Sequence, residues 1–67
     1  MDKKEQIAAN LLQIDLIKTK TLPVARMQAG KARKAGKSVA ADVYESEIQR
    51  LLATVAELEA ENKRLKR

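Results

Sequence analysis

The sequence predicts an all-α fold: a helical hairpin-like N-terminal region, residues 1–37, followed by a C-terminal parallel coiled coil, residues 38–67. Three observations predict it. Ala, Leu, Lys, Glu and Gln dominate and Tyr44 is the single aromatic residue, whereas strands favour β-branched and aromatic side chains. Apolar residues recur at 3–4 spacing through the last third of the chain. One proline and two glycines punctuate the remainder.

The first helix starts at Asp2, with Glu5 three residues on as a capping pair. Ile7, Leu11, Ile14 and Lys18 follow a 4-3-4 spacing, and Ala8, Leu12, Leu16 and Ile17 lie beside them. That arc is wider than a helix with one wet face needs, so helix one is expected to meet two neighbours. Ile7, Leu11, Ile14 and Ile17 are the candidate partner-binding residues, because helix-in-groove recognition uses such anchors. The competing expectation is a small bundle closed against Leu22, Val24 and Leu52.

Pro23 is expected to end helix one near Lys20. The residue before proline avoids the helical region, so Leu22 should be extended. Thr21 is a candidate cap, and a second helix runs from about Leu22 to Ala35 with Pro23 in its first turn. Arg26, Arg33 and Lys37 share one side of it; Val24, Ala25, Ala32 and Ala35 share the other. Gly36-Lys37-Ser38 reads as a helix stop followed by a fresh N-cap at Ser38; the alternative is one unbroken helix from Pro23 to Arg67.

The third segment carries a heptad pattern. Ala41, Ile48, Val55 and Asn62 fall at position a, and Tyr44, Leu51, Leu58 and Leu65 at position d. β-Branched residues at a with leucine at d favour two parallel strands, and a lone asparagine at a is best satisfied by its own copy across the pair. These eight residues form the expected oligomer interface. Helix one is judged too short to cover them within one chain. Glu61 can reach Lys66 of a second copy, and Glu59 and Lys63 form an i,i+4 pair. Leu52 widens the stripe. Upstream, Lys34 and Lys37 would fall in the seam, so the coiled coil should stop near Ala41.

Charge is uneven. Residues 1–37 hold nine Lys/Arg and three Asp/Glu, a net of +6; residues 38–67 hold five and six, a net of −1. Between Asp15 and Asp42 there is no acid. Arg26, Lys31, Arg33, Lys34 and Lys37 are the candidate nucleic-acid contacts, since phosphate recognition needs little beyond positive charge.

The segment from Ala41 to Leu65, with its asparagine at a, resembles the leucine zippers of basic-zipper transcription factors. The order of basic stretch then zipper is also theirs, and the resemblance implies a continuous helix forking into the major groove. The family's asparagine–two alanines–arginine pattern is missing; Gln28-Ala29-Gly30-Lys31 comes nearest. In general character the whole chain looks like the compact inhibitors and antirepressors of phages and mobile elements.

The functional expectation is therefore a small non-enzymatic regulator that forms a homodimer or higher oligomer and binds a regulatory protein, with direct DNA binding as the alternative and a structural tether as a third. Histidine and cysteine are absent, so no cofactor or metal is expected, and Ser38, Tyr44 and Ser46 have no activating base nearby in sequence. No apolar run approaches the length of a membrane span, and a cytoplasmic location with no membrane partner is expected.

Overall fold

The computed structural model describes residues 2–67 as a rod of 48 × 16 × 14 Å. α1 spans Lys3–Leu16, a π-helical turn spans Ile17–Thr21, α2 spans Leu22–Lys34 and α3 spans Ser38–Leu65. The described residues contain no strand. α1, the π turn and α2 join into one long first arm, which doubles back at Gly36 so that α3 runs antiparallel along its whole length. The chain is one extended helical hairpin.

Each boundary has a local cause. Asp2 is extended and its carboxylate accepts from the Glu5 N–H at 2.8 Å, which caps α1 as expected. The reversal is a Schellman turn. The Lys37 N–H donates to the Ala32 carbonyl at 2.9 Å and the Gly36 N–H to the Arg33 carbonyl at 3.1 Å. Gly36 sits at φ +73°, in the left-handed region that a Cβ disfavours. The helix break expected at Gly36 is therefore present. The cap of α3 lies one residue earlier than expected: Lys37 is the flanking residue, and the Ala41 N–H donates to its carbonyl at 2.9 Å. Ser38 is already helical.

Pro23 does not end the first helix. Leu22 is helical (φ −63°, ψ −48°) rather than extended, and Thr21 is helical with no capping bond. Proline in a helix interior removes one N–H and crowds the carbonyl four residues back. The π turn widens the backbone just before Pro23: the Leu22 N–H donates to Ile17, five residues back. The helix thus passes the proline without a break.

The π turn also changes the phase of the buried face. Asn10, Ile14 and Ile17 are buried in α1 and the turn; Leu22, Ala25, Ala29 and Ala32 are buried in α2. A regular 3–4 repeat from Ile17 would next bury Thr21, Val24, Gln28 and Lys31. One extra residue in the π turn moves the seam to Leu22 and the alanines instead. The first arm is therefore long enough to cover α3 from end to end, which a helix stopping at Lys20 would not be.

Candidate interaction surfaces

All eight heptad positions of α3 face a single seam, and in the hairpin that seam is filled by the first arm of the same chain. Ala41, Ile48, Val55 and Asn62 are buried; Tyr44, Leu51, Leu58 and Leu65 are half-buried. Ile14, Ile17, Leu22, Ala25, Ala29, Ile48 and Val55 make the apolar core, with Tyr44, Leu51 and Leu58 packed on it.

Asn62 meets a partner within its own chain. The Asn10 amide donates to Asn62 Oδ1 at 2.9 Å, both residues being buried, and Gln6 donates to Asn10 Oδ1 at 3.1 Å. Asn62 Nδ2 reaches the Ile7 carbonyl at 3.5 Å. Asn10 was not singled out from sequence. The signal for it is its phase, one turn before Ile14 and seven residues before Ile17, together with an unpaired asparagine at a on the other helix.

The expected partner-binding set divides. Ile14 and Ile17 are core residues of the hairpin, Ile7 is half-buried, and only Leu11 is largely exposed. The seam runs through Asn10, Ile14 and Ile17 rather than through Ile7, Leu11 and Ile14. This turns an apolar patch of α1 outward: Leu11 is 51% exposed, Leu12 63% and Leu16 42%. Of the three residues expected to close a bundle with helix one, Leu22 is buried with it, whereas Val24 and Leu52 are exposed.

The two long sides of the hairpin differ in chemistry. One is laced by ion pairs between the arms: Arg33 to Glu45 at 3.0 Å and Lys18 to Glu59 at 3.7 Å. Glu59 thus meets Lys18 across the seam. Shallow grooves on this side are lined by Arg26, Arg33, Gln49 and Leu52 and, nearer the termini, by Leu11, Ala56, Glu59 and Lys66. The opposite side holds grooves lined by Thr21, Val24, Gln28, Tyr44 and Leu51, continuing to Ala35 and Ala40 near the turn. Lys20, Glu47, Lys31 and Lys37 also line these grooves, and Glu47 pairs with Arg50 of its own helix at 3.5 Å.

Arg26, Lys31, Arg33, Lys34 and Lys37 are all exposed near the Gly36 end. Arg33 is tied to Glu45. The helix carrying these residues stops at Gly36 and reverses, so the basic stretch and α3 do not form the continuous helix of a basic-zipper protein. Among the described residues no helix is long and apolar enough to cross a membrane.

No protein-family model, no curated protein and no solved structure matches the chain.

Proposed function

We propose that this chain is a small non-enzymatic regulatory protein that self-associates and acts by capturing another protein on the outward face of α1. The observation that carries this reading is the exposure of Leu11, Leu12 and Leu16 together on one helix. Three leucines turned to water on adjacent turns form a patch of the kind that marks an interaction site. Ala9, Leu12 and Leu16 stand at i, i+3 and i+7, a spacing that fits a partner groove. The hairpin behind them holds α1 rigid, which reduces the ordering cost of binding.

The test is capture of a host protein by the immobilised chain, compared with a Leu11→Ala/Leu12→Ala variant. Loss of a specific captured protein in the variant, with helicity and self-association intact, supports the reading. Equal capture by both chains removes it.

A second reading has its own observation. Lys31, Lys34 and Lys37 are exposed at the turn end, and no acid interrupts the sequence between Asp15 and Asp42. Binding to duplex DNA through this end would weaken steeply with salt and again when Lys31, Lys34 and Lys37 are neutralised together. No mobility shift of duplex DNA at low salt eliminates it.

A further inference from the structure

We propose that the groove on the side away from the inter-arm ion pairs is a docking site for an acidic amphipathic helix of another protein. It is a second surface, distinct from the outward face of α1: neither Leu11 nor Leu12 lines it.

The groove lies between the two arms, in the half of the hairpin nearer Gly36. Its two stretches share Gln28 and Tyr44 and so form one trough. Val24 and Ala35 on the first arm, with Ala40, Tyr44 and Leu51 on α3, give it an apolar floor. The seam does not cover these side chains fully: Val24 and Ala35 are exposed, and Ala40, Tyr44 and Leu51 are half-buried. A trough between two helices can seat the apolar face of a third.

The rim specifies the chemistry of the occupant. Lys20, Lys31 and Lys37 line the groove and are exposed. The ion pairs of the hairpin join Lys18 to Glu59, Arg33 to Glu45 and Arg50 to Glu47. Among the described residues, then, none of the three rim lysines has a carboxylate partner. Glu47 lines the groove too, but Arg50 of its own helix answers it at 3.5 Å. The trough therefore sets uncompensated positive charge around an apolar floor. That pattern complements carboxylates bordering an apolar stripe, and lysine stems can lie along the stripe while their ammonium groups reach the acids.

Spacing gives the occupant its form. Lys20 and Lys31 stand three helical turns apart, about 16 Å. Carboxylates at i and i+11 of a partner helix share one face at the same separation, with apolar residues at i+4 and i+7 between them to meet Val24, Tyr44 and Leu51. A nucleic acid suits the groove less well. Its phosphates would lie against apolar side chains, and Tyr44, the single aromatic residue, is half-buried and offers bases no stacking platform. Lys34, which a phosphate-binding turn end would use, is exposed but does not line the groove.

The test uses the full-length chain and two labelled helical peptides. Both carry a stripe of leucines; one is bracketed by glutamates three turns apart, the other by lysines. Fluorescence anisotropy reads binding, and circular dichroism confirms that each variant folds. The glutamate peptide is expected to bind and the lysine peptide not. Lys31→Glu and Val24→Glu are each expected to weaken the glutamate peptide about tenfold or more. Arg26→Glu makes the same charge change on the same helix but lines the opposite side, and should weaken it far less. Leu11→Ala/Leu12→Ala should bind it as wild type does, which separates this site from the α1 patch. Failure of the glutamate peptide to bind overturns the assignment. So does equal weakening by Arg26→Glu and Lys31→Glu, or loss of the peptide in the Leu11/Leu12 variant. Duplex DNA that displaces the peptide, and whose own binding is abolished by both Lys20→Glu and Val24→Glu, would put a nucleic acid in the groove instead.

Discussion

Asn10 and Asn62 stand opposite each other in the seam, 52 residues apart in sequence, joined by a 2.9 Å amide hydrogen bond in a buried setting. They form a polar contact across an otherwise apolar interface. Sliding one arm by a turn would leave both amides buried without partners, at a cost of about 1–3 kcal/mol each. The pair therefore fixes the register of the hairpin more than it adds to its stability.

Asn62→Ala strands the Asn10 amide and is expected to destabilise the hairpin by about 1–3 kcal/mol. Replacing Asn10 and Asn62 together by leucine is expected to restore or exceed wild-type stability while loosening the register. Urea titrations of Asn10→Leu, Asn62→Leu and the double leucine variant measure the coupling as a double-mutant cycle. Additive effects of the two changes would show that the amides do not depend on each other.

The two glycines are expected to respond with opposite signs. A Cβ at Gly30 would meet nothing within 4 Å, and Gly30 lies inside α2, so Gly30→Ala should stabilise by about 0.5–1 kcal/mol. Gly36 is equally open but sits at φ +73°, so Gly36→Ala should destabilise by about 1–2 kcal/mol. Thermal melts of the two variants decide it; melting shifts of the same sign would contradict the Schellman assignment.

The π turn holds the one residue that interrupts the 3–4 repeat of the first arm. Deleting Thr19 lets that arm continue as a regular α-helix with Leu22, Ala25, Ala29 and Ala32 still on the seam, and cooperative melting should survive. Combining the deletion with Pro23→Ala, which removes the reason for the wide turn, should raise the melting temperature above wild type. Deleting Gln28 instead rotates Ala29 and Ala32 off the seam by about 100° and should abolish cooperative melting. If the two deletions behave alike, the phase of the first arm is not what the π turn sets.

The ion-paired side is expected to contribute little. Arg33 and Glu45 are exposed enough for solvent to weaken their attraction, so Arg33→Ala should cost about 0.2–1 kcal/mol at low salt and nothing measurable at high salt. Melts at two ionic strengths test this.

Much of the fold was legible in the residues. The Asp2 cap and the break at Gly36 follow from short-range chemistry that acts wherever those residues occur, and the 3–4 repeat from Ala41 to Leu65 marks the face of α3 that meets the first arm; which helix would meet that face was not written in the repeat. The continuity of the first arm was hidden because proline ordinarily marks a boundary, and its evasion by a π turn has no residue signature. The seam of α2 was legible in part: Ala25 and Ala32 fall on the face opposite the basic residues, but Val24 and Ala35, grouped with them, are exposed, and the π turn brings Leu22 and Ala29 onto the seam instead. Ile14 and Ile17 read as surface anchors because the seam of helix one was phased on Ile7 and Leu11, one position away from Asn10. An asparagine is not counted as a core residue until its partner is known, and Asn62 lies at the other end of the chain.

The tight Schellman reversal at Gly36 has a kinetic consequence. It brings the end of α2 and the start of α3 side by side with little loop to close, so pairing of the arms can begin at that end and proceed toward the termini by adding neighbours one turn at a time. The asparagine contact at the far end then forms last. Weakening it should hasten unfolding and barely slow folding, whereas straining Gly36 should slow the first productive step.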